Sequence, residues 1–178
     1  MKIKINMGCG KRNFGKDWIH IDKANYKHIN ERDIFDFSYE NVDLIYASHL
    51  ISYFDNEVVQ DLLKYWRSKL KIGGILRLAV PDFREMAKLY LNQDYKLENF
   101  IGPLYGKMSM NEDTIYHKLC YDEETLTALL HKLNFREIRR WDHNLVEHGA
   151  FDDHSQAYIP NMEKDNGTLI SLNLECKK

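Results

Sequence analysis

The chain alternates short apolar runs with stretches whose apolar residues recur every three or four positions. Lys2 to Met7 alternates Lys-Ile-Lys-Ile and predicts a strand, as does Trp18 to Ile21. Val42-Asp43-Leu44-Ile45-Tyr46-Ala47 predicts a buried strand ending in the polar Ser48-His49, and Ile75 to Val80 another. Between these last two, Val58, Val59, Leu62, Leu63 and Trp66 repeat with helical period, with Asp55 or Asn56 as the N-cap. Lys71-Ile72-Gly73-Gly74 stops that helix. Asp82 and Glu85 resemble a capping box opening the next one, with Phe83, Met86, Ala87 and Tyr90 on one face. Asp33 to Phe37 reads either as a strand or as a turn following one.

Residues 94–121 lack a clean period and carry Gly102, Pro103 and Gly106, which marks a functional insertion rather than a connector. Leu126, Leu129, Leu130 and Leu133 define a further amphipathic helix after Asp122. Glu137 to Trp141 and Thr168 to Leu174 close the pattern as strands. Strands alternating with helices predict an α/β domain built on a mainly parallel sheet. Ligands in such sheets bind outside the carboxyl ends of the strands, where Gly8, Asp22 and Ser48-His49 all fall.

Composition narrows this picture by exclusion. A chain of 178 residues, 44% hydrophobic and 29% charged, reads as one globular domain. Its formal net charge of −2 gives no reason to expect a nucleic-acid or membrane partner. The one dense basic run, Arg136 to Arg140, is interrupted by Glu137 and reads as a solvated face. Cys9, Cys120 and Cys176 are odd in number and widely spaced, which argues for a reducing compartment. No stretch reaches about 18 apolar residues, so the expected location is the cytoplasm.

Gly8-Cys9-Gly10 at the end of the first strand and Asp22 at the end of the second describe a site for an adenosine-containing cofactor. Glycine lets the backbone approach a ligand, and the acid accepts hydrogen bonds from a ribose diol. Singly, the glycines fit a tight turn and Asp22 a helix cap. A dinucleotide fingerprint needs a third glycine where Asn13 stands, and about 20 residues between the glycines and the acid. Gly10 and Asp22 are only 12 positions apart, so a ribose and adenine without a pyrophosphate fit better.

Asn6-Met7-Gly8-Cys9-Gly10, Asp22, Asp33-Ile34, Tyr46-Ala47-Ser48-His49, Leu70-Lys71-Ile72-Gly73-Gly74 and Val80-Pro81-Asp82 stand in the order of class I S-adenosylmethionine-dependent methyltransferases. The chain resembles their small bacterial members with a shortened first helix, many of them associated with cell-surface polysaccharide or other small-metabolite pathways. The likeness covers roughly residues 3 to 92 well and the remainder less specifically. It implies a single-domain Rossmann-like fold over residues 1–178, with a seven-stranded, mainly parallel sheet, helices on both faces and an antiparallel last strand. Residues 94–121 and 142–165 would be substrate-facing insertions. S-adenosylmethionine would be the cofactor and S-adenosylhomocysteine the product. Met7, Gly8, Cys9 and Gly10 would line its methionine and ribose portion, Asp22 would hold the ribose hydroxyls, and Asp33 with the Ile34 backbone would meet the adenine. Ala47 and Ser48 would lie beside the methyl group. Lys11 or Arg12 are candidates by charge for the methionine carboxylate.

His49 is the candidate general base, with packing beneath the cofactor or capping of the next helix as the alternative. Asn/Asp-Pro-Pro-aromatic, the motif of amide and exocyclic-amine methylation, is replaced by Ser48-His49-Leu50-Ile51, so a hydroxyl oxygen is the expected acceptor. A sugar, nucleotide-sugar or surface-polysaccharide precursor would meet Tyr105, His117, Tyr121, His148, His154 and Tyr158, which offer stacking and hydrogen bonds. Asp142, His143, His148, Asp152, Asp153 and His154 contain metal-ligand types but match no zinc spacing, and a solvated acidic loop is the ordinary reading. Two other functions remain open on the sequence: a non-catalytic cofactor-binding module or partner subunit, and a methyltransferase acting on RNA or protein.

Overall fold

Successive side chains along each strand point to opposite sides, and this decides which residues cover each face of the central sheet. A computed structural model describes residues 2–92, 95–110 and 113–178. Strands β1 (Lys4–Met7), β2 (Ile19–Ile21), β3 (Val42–Ser48) and β4 (Leu70–Pro81) run parallel. Helix α1 (Asn56–Lys69) joins β3 to β4, and its end passes directly into the strand at Leu70. Helices α2 (Phe83–Asn92) and α3 (Glu98–Tyr105) follow, then a hairpin of β5 (Met108–Met110) and β6 (Asp113–Ile115). Helix α4 (Glu123–Lys132) opens with a reciprocal Asp122–Thr125 capping box. Strand β7 (Arg136–Arg140), the short pair β8 (Tyr158–Ile159) and β9 (Thr168–Leu169), and β10 (Ser171–Lys177) complete the chain.

The sheet order is β2-β1-β3-β4-β10-β7, with β10 antiparallel to both neighbours. It has six strands among the described residues, one fewer than the expected seven. Asp33 to Phe37, which reads as a strand or as a turn following one, is a turn: the only pairing here among the described residues is a single parallel bridge between Ile21 and Glu31, just before it. Asp33 Oδ1 accepts the Phe35 N–H at 2.8 Å, and this local turn takes the backbone away from a ladder.

Ile5, Met7, Ile45, Ala47, Leu76, Leu78, Val80, Leu172 and Leu174 point to one face and pack against α1 and α4 through Val59, Leu62, Trp66, Leu126 and Leu130. The intervening residues Leu44, Tyr46 and Ala79 meet Phe14, Trp18 and Trp141, none of which lies in a helix. Among the described residues α-helices are therefore found on one face only: a bend around residues 11–18 and a segment around 141–157, with short 3-10 turns at His143–Leu145 and His154–Gln156, cover the second face with aromatic rings. Phe14 stacks on His148 and Phe151, with ring centroids 5.3 and 4.9 Å apart. The Phe14 N–H donates to His20 Nε2 at 2.8 Å, fixing the short bend that stands where a longer helix would pack. Arg77 is buried on the same face, bonded to Glu175 and Glu147 and lying over the Trp141 ring.

The Asp82 side chain accepts the Glu85 N–H at 3.2 Å, capping α2. Met86 and Leu89 bury that helix against Phe100, Ile159 and Ile170, while Phe83 and Tyr90 stay about half exposed. Arg139 and Arg140 lie on an edge strand, paired with Glu175 and Glu123. No helix among the described residues is long and apolar enough to cross a membrane.

Burial holds His20 and His148 neutral, lowering each from near 6.5 to about 4; His28 adds to the effect at His20 and Arg77 at His148. The unfolded chain takes up these protons near pH 6.5 and the folded chain only near 4. Stability is thus fully present above about pH 6.5 and falls as pH drops toward 4, by up to about 1.4 kcal/mol per pH unit for each group. Urea midpoints measured from pH 7 to 4.5 should fall accordingly. His148→Phe, which keeps the stack and has no proton to gain, should flatten the decline; a variant as acid-sensitive as the parent would contradict this.

Candidate functional site

The turn after β1 and the carboxylate after β2 are held as one unit. Gly8 (φ +63°) and Gly10 (φ +55°) adopt the left-handed conformation, where a Cβ is strained. The Gly8 N–H donates to Ile21 O at 2.8 Å, and a Cβ on Gly8 would sit 2.8 Å from the Leu50 methyls. Asp22 accepts the Gly10 N–H on Oδ2 at 2.8 Å and the Ala24 N–H on Oδ1 at 2.7 Å. Each carboxylate oxygen keeps a lone pair for a further donor. Gly8 and Asp22 face a cavity of about 500 Å³ that extends between Ile34, Phe35, Leu50 and Phe54 to the β5–β6 hairpin.

A second cavity of about 450 Å³ lies beside the first, and Tyr53, Met108 and His117 line both. His49 lines the second one, at the carboxyl end of β3, with φ +50°, an uncommon conformation for a residue bearing a Cβ. Its N–H donates to Ala79 O at 2.8 Å, and its Nε2 lies 3.1 Å from Ser171 Oγ. The rings of His154 and His117 stand 5.4 and 6.5 Å from that of His49. Burial, then His154, His117 and Arg12, push the His49 pKa well below its ordinary value, so its imidazole is neutral at pH 7. Burial likewise lowers His117 and His154.

His117 is seated by its own backbone surroundings. Its Nδ1–H donates to Leu104 O at 3.2 Å, while Tyr53 OH donates to Gly106 O at 2.6 Å. Gly106 caps α3 in the left-handed conformation, and a Cβ there would collide with the His117 imidazole. The partition between the two cavities therefore needs a glycine at 106.

Of the residues expected to hold a cofactor, Gly8, Asp22 and Ile34 line the first cavity. Met7, Cys9 and Ala47 are buried in the core behind it, and Gly10 serves by binding Asp22. The Ser48 Oγ is buried without a hydrogen-bond partner among the described residues. Asp33 closes its exposed turn and does not line the cavity; its neighbour Phe35 does. Arg12 Nε donates to Asp152 O at 3.1 Å, whereas Lys11 is exposed.

Of the expected substrate contacts, His117, His154 and Tyr158 line the second cavity. His148 does not, because it is 1% exposed inside the aromatic cluster. Tyr121 is buried beside Asp82, and Tyr105 projects to solvent at 57% exposure; neither lines a cavity. Among the described residues no three His, Cys, Asp or Glu side chains are placed to share a metal ion. Asp142 caps the turn at Asn144, His143 Nε2 lies 2.9 Å from Tyr158 OH, and Asp153 accepts from Tyr46 and Ser155. Sequence reasoning missed Tyr53, Phe35 and Phe54, which carry no motif, and Ser171 and Asn173, which look like ordinary strand residues.

No protein-family profile matches the chain, and no curated protein matches it in sequence. Solved structures match it over nearly its full length at low identity. One is a SAM-dependent methyltransferase from Archaeoglobus fulgidus, 16% identical, with TM-score 0.56, covering 99% of this chain and 86% of that one. Another is a SAM-dependent methyltransferase from Thermotoga maritima described as a possible histamine N-methyltransferase, 12% identical, with TM-score 0.58, covering 100% and 82%. A third is the Burkholderia thailandensis 1,6-didemethyltoxoflavin-N1-methyltransferase with its substrate and S-adenosylhomocysteine, 10% identical, with TM-score 0.56, covering 99% and 70%. The chain has the Rossmann-like fold of these enzymes.

Gly106→Ala is expected to dislodge His117 and to cost about 1–2 kcal/mol from the left-handed backbone alone. Thermal denaturation reads the loss, and an unchanged melting temperature would contradict the packing described for His117.

Proposed function

We propose that the protein is an S-adenosylmethionine-dependent methyltransferase acting on a small polar acceptor. The observation that carries this reading is the pairing of cavities. One is bounded by the Gly8 turn and the Asp22 carboxylate; the other opens over His49; Tyr53, Met108 and His117 form their common wall. The shared fold with three methyltransferases supports it.

The residues present fit the cofactor. Asp22 is held by two backbone N–H groups in a fixed orientation, with one acceptor site left on each oxygen for a ribose diol. Gly8 has no side chain to obstruct close approach, and Phe35 and Phe54, with Leu50 and Ile34, supply an apolar slot suited to adenine. When bound, S-adenosylmethionine supplies an electrophilic methyl group on a sulfonium. The protein's part is to hold an acceptor in line, about 3 to 3.5 Å from that carbon, and to take its proton. His49 is the group for the second task, since a neutral imidazole accepts a proton where an imidazolium does not.

A hydroxyl acceptor, on a sugar, nucleotide-sugar or surface-polysaccharide precursor, is the finer reading. It is supported by the neutral base and by Ser48-His49-Leu50-Ile51 in place of the amide-directed motif. The net charge of −2 favours a small molecule over RNA. Arg12 stands near enough to His49 and His154 to depress both, which makes it the candidate for a carboxylate.

Calorimetry should detect binding of S-adenosylmethionine and S-adenosylhomocysteine. Asp22→Asn should weaken it about 10- to 100-fold, as expected for loss of charge-assisted hydrogen bonds, with folding retained. Unchanged affinity, or no binding by the parent protein, would overturn the assignment. With methyl-labelled cofactor and fractionated small metabolites, label should appear in a small polar product. On that product His49→Gln should lower turnover at least about 100-fold while cofactor affinity stays within about threefold. Near-normal turnover would remove His49 from the chemistry.

A further inference from the structure

His49 does not stand alone: behind it runs a chain of buried polar groups whose hydrogen-bond directions can be fixed from one end. The Asn173 side-chain amide donates from Nδ2 to the Ser155 carbonyl at 3.0 Å. A backbone carbonyl only accepts, so the NH₂ group must face it and Oδ1 must face the other way. Oδ1 lies 3.0 Å from Ser171 Oγ and, as an acceptor, takes the hydroxyl hydrogen. The other group near that hydroxyl, the Val80 carbonyl at 3.5 Å, is also only an acceptor. Ser171 has a single hydrogen, so toward His49 it presents a lone pair. Ser171 and Asn173 are 2% and 4% exposed, leaving little room for water to reverse the order.

We propose that Ser171 and Asn173 are positioning residues that lock His49 as the Nε2–H tautomer and leave the Nδ1 lone pair toward the second cavity. Nε2–H donates to Ser171 Oγ across 3.1 Å, while Nδ1 has no protein partner among the described residues. The turn that carries the terminal carbonyl is itself anchored. Asp153 Oδ1 accepts the Ser155 N–H at 2.8 Å, and Tyr46 OH donates to Asp153 Oδ2 at 2.6 Å. The relay is thus tied at its far end to the aromatic layer on the second face of the sheet.

The consequence for substrate class rests on the proposed methyl transfer. A lone pair aimed at the acceptor calls for a reacting atom that still carries hydrogen. As the O–H bond breaks, its proton would bond to Nδ1 and its electron pair would stay on the oxygen, which would bond to the methyl carbon as that carbon's bond to sulfur breaks and its electron pair stays on sulfur. The resulting imidazolium keeps its other N–H on Ser171. A carboxylate, which has no proton to give and would face the same lone pair, is disfavoured as the reacting group; hydroxyl-bearing acceptors are favoured.

Long-range ¹H–¹⁵N NMR of histidine-labelled protein tests the relay without any acceptor or cofactor, and so separately from the catalytic reading. His49, assigned by its disappearance in His49→Gln, should show a protonated Nε2 and an unprotonated Nδ1 at pH 7.5, with their nitrogen shifts far apart. Ser171→Ala should move the two shifts toward each other as the tautomers mix, and Ser171→Thr, which keeps the hydroxyl, should restore the separation. Should Ser171→Ala fail to fold, Asn173→Ala, which removes the fixed end of the relay, should produce the same convergence. A proton on Nδ1 in the parent protein, or shifts unmoved in a folded Ala variant, would overturn the proposal.

Discussion

The structure depends on covering a sheet face that, among the described residues, has no α-helix to cover it. The alternation in β1, β3, β4 and β10 leaves Asn6, Tyr46, Arg77, Asn173 and Glu175 on one side, all of them buried. Polar groups buried this way cost free energy unless each is bonded. The chain meets that requirement with side chains rather than with a helix. Arg77 binds Glu175, Tyr46 binds Asp153, Asn173 binds Ser155, and His20 accepts from Phe14. Aromatic rings fill the space between them. A tight bend of residues 11–17 can then replace a helix because His20 and the Phe14 stack hold it in place.

That cover is continuous with the functional site. The bend fixed by His20 follows directly on the turn in which the Gly10 N–H binds Asp22, and the turn fixed by Asp153 is the one that carries His154 and the Ser155 carbonyl. Burial has the same electrostatic result throughout this region: His20, His49, His117, His148 and His154 are all driven toward the neutral form. In the aromatic layer neutrality preserves packing. In the second cavity it preserves a base.

Much of this was legible before the structure. The boundaries of β1, β3, α1 and α4 follow from hydrophobic period, and Gly8, Asp22 and His49 were identifiable because strand ends are where such folds bind ligands. The absent seventh strand was less visible, because Asp33-Ile34-Phe35 is compatible with a ladder and with a local turn, and only the Asp33–Phe35 bond decides between them. His148, Tyr121 and Tyr105 were expected at the substrate for their chemistry; their chemistry says nothing about which way they point. Helices on both faces were expected, although Lys4-Ile5-Asn6-Met7 and Ser171-Leu172-Asn173-Leu174 alternate as strands with one apolar face do.

The amino-acid order by itself determined the parallel α/β framework, the glycine turn and its carboxylate, because these rest on local period and on spacing along a few neighbouring elements. Tertiary structure alone decided that two cavities share the wall of Tyr53, Met108 and His117, that α3 and the β5–β6 hairpin close over the strand ends, and that Ser171 and Asn173 stand behind His49. Those arrangements join residues 50 to more than 120 positions apart, and contacts at such separations are set by how whole elements pack, which no local pattern encodes.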